Sequence, residues 1–248
     1  MPNFASALAS RSLISFNMQA AAHTGQFSHY VSKSWQHVLP SPAKQQVLQR
    51  IGALIQPFDF VGLQEADGGS VRSSFLHQAQ QLQQMGNFSE LVDQRNRKVG
   101  PWSCTGNSIL ARVAAASVSA HILPAAMGKR GALEAHFDGS RLINVHLALT
   151  PGAQQQQLQY LGQYLRAHPQ PTLLFGDFNC TPDSAAVRAL LAHTGYLSAH
   201  SAATFPSWAP KRCIDLVLHS PDVQMHSCAP LSAMASDHLP VACSFSLR

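Results

Sequence analysis

Charge is scarce in this chain of 248 residues: Asp, Glu, Lys and Arg together make up 12%, about half the ordinary share. Acids are scarcer than bases, twelve against seventeen, for a formal net charge of +5. That modest excess favours a phosphate-bearing partner but falls short of a nucleic-acid-binding signature. An apolar share of 46% argues for a packed core and against disorder. Cysteine is limited to Cys104, Cys180, Cys213, Cys228 and Cys243, with no C-x-x-C pair. The scatter excludes a disulfide scaffold and the usual zinc spacings, and reads as reduced thiols in a cytoplasm. No run of about 18 apolar residues exists, so no membrane span is expected. Met1 to Ser12 carries one Arg and no long apolar core, a poor signal peptide. The sequence also lacks a Gly-x-Ser-x-Gly elbow and a cysteine nucleophile motif, which disfavours a covalent serine or cysteine hydrolase.

What is present is an alternation of short strands and helices without an evident linker or internal repeat, read as one domain over 1–248. Apolar patterning predicts strands at Leu13–Met18, Phe58–Glu65, Asn107–Ala111, Ala114–Leu123, Gly131–Phe137, Arg141–Leu149, Thr172–Phe175, Ile214–Leu218 and Leu239–Phe245. Helical spacing predicts Ala43–Ile55, closed by Pro57, then Val71–Met85, Ala153–Arg166 and Ser184–Leu191, the last with Asp183 as a cap. Gln19–Pro42 reads as a long loop.

The densest signal is Leu173-Leu174-Phe175-Gly176-Asp177-Phe178-Asn179. Asp and Asn at i and i+2 share one side of an extended chain, off the end of a buried strand. Glu65, Asp215 and Asp237 likewise end or flank apolar runs. A carboxylate so placed needs a metal or a catalytic partner, because burying it unpaired is costly. Glu65 and Asp237 are candidate ligands of a divalent cation, and an all-oxygen site suits Mg²⁺ or Mn²⁺ better than Zn²⁺. In Ser236-Asp237-His238-Leu239-Pro240-Val241 neighbouring side chains diverge, so Asp215 is the expected partner of His238. Asn17, Asn107, His146 and Asn179 complete the polar set at strand ends. Basic pairs lead into two of these strands, at Lys129-Arg130 and Lys211-Arg212, and Arg95, Arg97 and Lys98 form a third group. Arg130 and Arg212 are candidate phosphate contacts. Trp208 is a candidate stacking platform at the pocket rim.

In this order the motifs resemble the endonuclease/exonuclease/phosphatase superfamily, the metal-dependent phosphoesterases related to pancreatic deoxyribonuclease, from about Leu13 to Phe245. Gln64-Glu65 is similar to its Leu-Gln-Glu motif, Gly106-Asn107-Ser108-Ile109-Leu110 to Gly-Asn-x-Ile-Leu, and Asn144-Val145-His146-Leu147 to the segment with its first catalytic His. Asp177 and Asn179 fit Gly-Asp-x-Asn, Asp215 fits Ile-Asp, and Asp237-His238 fit Ser-Asp-His-x-Pro. The resemblance implies a four-layer α/β/β/α sandwich: two mostly antiparallel sheets packed face to face, with helices on both outer faces. It implies Mg²⁺- or Mn²⁺-dependent hydrolysis of a phosphate ester. A water activated by Mg²⁺, or one oriented by Asp177, would attack in line, Asn179, His146 and His238 would hold phosphate oxygens, Asp215 would orient His238, and Asn17, Glu65 and Asp237 would lie at one or two metals. Phosphodiesters, including nucleic acid, are the expected substrates; a phospholipid headgroup, a small phosphoester and an inactive binding protein of the same fold are the alternatives. His146 stands where abasic-site endonucleases of the family carry Asn, and Leu216 where many relatives carry an aromatic or His. No long aromatic insert of the lipid-cleaving kind lies between Asn179 and Asp237. No protein partner is evident.

Overall fold

The structure is a computed structural model in which residues 10–21, 41–124 and 129–248 are described. Most of the expected loop Gln19–Pro42 lies outside those residues. Two six-stranded sheets stack face to face. The first contains β1 (Arg11–Asn17), β2 (Phe60–Asp67), β3 (Glu90–Val99), β4 (Ser103–Ala111), β11 (Val223–Pro230) and β12 (Val241–Leu247), in the order β11-β12-β1-β2-β4-β3. The second contains β5 (Ser117–Leu123), β6 (Arg130–Phe137), β7 (Ser140–His146), β8 (Thr172–Asp177), β9 (Leu197–Ser198) and β10 (Asp215–His219), in the order β5-β6-β7-β8-β10-β9. Each sheet is antiparallel except for its central pair, β1 with β2 and β7 with β8. A parallel pair needs a crossover. Helix α1 (Pro42–Ile55) lies in the first crossover and α3 (Pro151–Ala167) in the second. Helices α2 (Gln78–Gly86) and α4 (Ala185–Thr194) complete the outer layers. The expected sandwich is the observed one.

Strand alternation sorts the core into three apolar layers. Ile14 and Phe16 of β1 point outward onto Val47, Leu48, Ile51 and Ile55 of α1. Ile143 and Val145 of β7 and Leu174 of β8 point outward onto Leu158, Leu161 and Leu165 of α3. Leu13, Leu142, Leu173, Phe175 and Val217 fill the space between the sheets. Each such side chain contributes about 1.5–3 kcal/mol by leaving water. Gly62 makes room for this middle layer, because a Cβ there would stand 2.1 Å from the Phe175 ring.

Three expectations change. Val71–Met85 is not one helix but a single 3-10 turn at Val71–Ser73 followed by α2. The buried Asp67 carboxylate accepts from Gly69 N, Ser70 N, Ser70 Oγ and Ser73 Oγ, winding the chain into a tight turn that Ser74 and Phe75 leave at positive φ. The cap of α4 is Ser184, whose Oγ accepts from Val187 N, while Asp183 accepts from Thr181 instead. The edge strands β3 and β11 were not expected. Both carry polar residues among their apolar ones, and only scattered side chains such as Val92, Val223 and Met225 reach the core.

Candidate active site

The site forms where the inner faces of the central strands turn from apolar to polar. Along β1 that face reads Leu13, Ser15, Asn17; along β7, Leu142, Asn144, His146; along β8, Leu173, Phe175, Asp177. In the two parallel pairs Asn17 lies beside Gln64, and His146 beside Asp177. The antiparallel strand β10 begins at the same level, with Asp215 opposite Asp177. Five strands thus bring polar residues to one rim. Beneath it a polar clasp ties the sheets together. Asn144 Nδ2 donates to the carbonyls of Leu63 and Ser108 at 2.9 Å each, and Gln64 Nε2 donates to Asn144 Oδ1 at 2.7 Å.

Three backbone irregularities aim the side chains. Gly176 has φ 132°, and a Cβ on it would stand 2.0 Å from the carbonyl oxygen of Val145, so only glycine permits the approach of β8 to β7 there. Glu65 has φ 57° at a bulge between Leu63 and Ala66 of β2, which turns its carboxylate toward the cleft. Asn179 has φ 54°, and its N–H donates to Asp177 Oδ1 at 2.9 Å. The i, i+2 pairing of Asp177 and Asn179 is therefore made by a turn beyond the strand, not by strand alternation. Asp237 and His238 also precede β12 rather than belong to it; Asp237 O accepts from Ser207 N at 2.7 Å.

A cleft of about 290 Å³ is lined by Asn17, Glu65, His146, Asp177, Asn179, Asp237 and His238, with Arg97, Arg130 and Arg212 on its walls. Residues from across the whole described chain meet here. His238 Nδ1 donates to Asp215, at 3.0 Å to Oδ1 and 2.9 Å to Oδ2. Its Nε2 faces Asp177 Oδ2 at 3.9 Å. Burial works against a charge on His238, but the Asp215 and then the Asp177 carboxylate outweigh it and hold the imidazole up to about 10. The two carboxylates favour the protonated ring. Asp177 is buried, and that burial raises its carboxyl to about 7 against the opposing pull of His238. Asn17 Nδ2 donates to Asp177 Oδ2 at 2.9 Å. Among the described residues, the group of acids and imidazoles tight enough to hold a metal is Asp177, Asp215 and His238, within 4.8 Å of one another. Within this trio His238 Nδ1 and Asp215 are already engaged with each other by a hydrogen bond.

His146 behaves differently. Arg130 Nη1 lies 2.9 Å from its Nε2, and an arginine can only donate, so Nε2 accepts and the ring is neutral. Burial, then Arg130, holds its pKa well below the ordinary imidazole value. The carboxylates of Asp177 and Glu65, 3.4 and 3.9 Å from the same nitrogen, are neighbours rather than ion-pair partners.

Glu65 and Asp237 line the same cleft and are the candidate hard oxygen donors. Glu65 keeps 35% of its side chain exposed. Burial of its carboxyl and the Asp237 charge both push its pKa above the ordinary value. Two like charges held together on a cleft floor fit a divalent cation, and their donor type fits Mg²⁺ or Mn²⁺. Gln19 Nε2 donates to Asp237 Oδ2 at 3.1 Å. Asn17, expected beside the metal, gives its amide to Asp177 and its Oδ1 to the backbone N–H of Gln19.

Among the expected substrate contacts, Arg130 and Arg212 line the cleft and Trp208 does not; Phe205 takes that wall, its ring 4.9 Å from that of His238. Asn107 is buried and spends its amide on the carbonyls of Gly131 and Asn144, bracing one sheet against the other beside the Arg130 niche. Sequence reasoning missed Asn144, Gln19, Phe205 and the role of Arg97. Asn144 carried a signal, a polar side chain two residues before His146 on the same face of an apolar strand.

A two-sheet sandwich with helices outside, and carboxylates and imidazoles gathered at one rim, fits a phosphoester hydrolase. The model of the Endonuclease/Exonuclease/phosphatase family matches residues 14–238, and the chain belongs to that family. A crystal structure of a family protein from Bacteroides thetaiotaomicron is similar over 97% of this chain and 99% of that one, with a TM-score of 0.75 and 16% identity. The mannosyl-6-phosphatase of the same organism is similar over 96% of this chain and 100% of its own, with a TM-score of 0.71 and 16% identity. TDP2 of D. rerio, solved with a single-strand DNA product, is similar over 96% of this chain and 99% of its own, with a TM-score of 0.71 and 17% identity. At these identities the likeness shows the fold. Curated proteins give no match.

Proposed function

We propose that this protein is a Mg²⁺- or Mn²⁺-dependent phosphodiesterase of the nuclease kind, hydrolysing its substrate by in-line attack of water on phosphorus. The observation that carries the reading is the arrangement of one cleft, in which His238 is bonded to Asp215 at 2.9 Å, its Nε2 faces Asp177 Oδ2 at 3.9 Å and Asn17 Nδ2 donates to that same Asp177 oxygen. Burial raises the pKa of Asp177, and Asp215 raises that of His238. At neutral pH Asp177 can take a proton while His238 gives charge. Asp177, oriented by Asn17 and by the Asn179 N–H, removes the proton of the attacking water. His238, fixed by Asp215, faces the phosphoryl oxygens as a cation. Arg130, braced on His146, adds a second positive group, and Asn179 contributes its amide. Glu65 and Asp237 would hold the cation, which when bound supplies positive charge against the phosphate and leaving-group oxygens.

Three arginines along the cleft, Arg97, Arg130 and Arg212, support a substrate carrying more than one phosphate. A small phosphomonoester is the second reading, favoured by the cleft's modest volume of about 290 Å³. A panel of DNA, RNA, nucleotides, sugar phosphates and sphingomyelin with Mg²⁺, Mn²⁺ or EDTA separates them. Turnover of a polynucleotide whose KM rises steeply with salt supports the first reading. Turnover confined to a monoester overturns it, and activity undiminished by EDTA overturns both. The five free thiols support a reducing, cytoplasmic location, and the rim built by both sheets supports one folding unit.

A further inference from the structure

Cys228 and Cys243 are direct partners in the register of β11 and β12. Antiparallel pairs alternate between hydrogen-bonded and non-hydrogen-bonded positions. Leu231 N donates to Pro240 O at 2.8 Å, which makes that pair hydrogen-bonded. Counting back along the register, Pro230 with Val241 is non-hydrogen-bonded, Ala229 with Ala242 is hydrogen-bonded, and Cys228 with Cys243 is non-hydrogen-bonded. Opposed Cα atoms at such a position lie about 4.5 Å apart and their side chains are closest, within the span a disulfide bridges. Both thiols face the middle core layer, Cys243 buried within it and Cys228 packed at its edge and partly exposed. The chain between them, a loop of about fifteen residues, contains Asp237 and His238.

We propose that Cys228 and Cys243 are an oxidisable pair whose cross-strand disulfide clamps the loop carrying Asp237 and His238. With hydrogen peroxide as oxidant, the Cys228 thiolate attacks one peroxide oxygen, the O–O bond breaks, and Cys228 sulfenic acid and water form once a proton is taken up. Cys243 sulfur then attacks the sulfenic sulfur as its own proton leaves. The S–O bond breaks, hydroxide takes that proton, and the net change is two thiols and one peroxide to one disulfide and two waters. Cys228 is the entry point because it is the accessible member. The pair stands apart from the cation and phosphate groups, so the inference holds whatever the substrate.

The test oxidises the full-length protein with hydrogen peroxide, caps remaining thiols with N-ethylmaleimide, and maps peptides without reduction. The expected result is a peptide joining Cys228 to Cys243, a loss of about 2 Da, and restoration by dithiothreitol. Amide exchange across 231–240 slows, and Tm rises by about 5 °C in the oxidised form. Cys228→Ser removes both the linked peptide and the Tm shift while leaving phosphoester turnover as in the reduced wild type. Capping of both cysteines after oxidation, a bridge through Cys104 instead, or addition of two or three oxygens to Cys228 alone overturns the proposal. The wild-type map decides the matter even if a variant misfolds.

Discussion

Asp215→Asn tests the relay most directly. Asp215 is buried, and both its oxygens lie within 3.0 Å of His238 Nδ1. Asparagine keeps the shape and an acceptor oxygen but removes the charge that lifts the imidazole from 6.5 to about 10. In the variant burial is opposed chiefly by Asp177, so the imidazole falls back to about 6.5 or below. At pH 8 a group with a pKa of 6.5 is protonated about one part in thirty, so kcat/KM there falls roughly 30-fold. The loss is small at pH 6 and grows with pH, because the alkaline limb of the profile moves from about 10 to about 6.5. Stability follows the same sign. A raised histidine stabilises the fold fully below its unfolded value of 6.5 and loses that contribution as pH climbs through about 10. The variant is therefore weakest relative to wild type below pH 6.5, by roughly 3 kcal/mol, and the difference closes toward pH 10. Imidazole titration by NMR, the pH profile of kcat/KM and urea melts at several pH values measure all three. An alkaline limb still near 10 in the variant refutes the reasoning.

Further outcomes follow from the same geometry. Asp177→Asn removes the base raised to about 7; kcat falls about 10²–10⁴-fold and the acid limb near pH 7 disappears, with Tm unchanged or raised because a buried carboxylate no longer has to ionise. Arg130→Ala deletes the cation at 2.9 Å from His146; kcat/KM drops about 10–100-fold, and the His146 imidazole rises toward its ordinary value in an NMR titration. Glu65→Gln weakens Mg²⁺ binding by calorimetry about tenfold or more, because one of two carboxylates has gone. Asn144→Val strands the carbonyls of Leu63 and Ser108 and costs about 3 kcal/mol in a urea melt.

How far the sequence revealed all this varied with burial. Central strands were readable because each side chain on them has a core to face: Leu13, Leu142 and Leu173 inward, Ile14, Ile143 and Leu174 outward. The edge strands were not, since β3 spends Arg95 on Asp93 and on the Ala66 carbonyl and exposes Lys98, giving no apolar rhythm to read. Val71–Met85 failed because its apolar spacing competes with local hydrogen bonds to Asp67, and the local bonds win. The site acids were legible as charges out of place in apolar runs. The division of labour among them was not. That Asn17 serves Asp177, or that Arg130 neutralises His146, depends on distances between strands remote in sequence.

The sheet orders explain why one rim collects the chemistry. Both sheets place a parallel pair third and fourth, with antiparallel strands outside it, and both join that pair through a helix on the outer face. A parallel pair is the one arrangement that brings two carboxyl ends of strands to the same edge. Two such pairs packed face to face bring four: Asn17, the Gln64-Glu65 bulge, His146 and Asp177. Strand β10 runs the other way but enters at that edge, so its first residue, Asp215, joins them. The loop into β12 closes the circle with Asp237 and His238. No sequence repeat accompanies the repeated topology, because the two halves keep different side chains at matched places: amide and carboxylate in one sheet, imidazole and carboxylate in the other. On the proposed reading, a phosphate bound in this cleft would meet positive charge from a cation at Glu65 and Asp237 and from His238 and Arg130, with Asp177 placed to orient the attacking water.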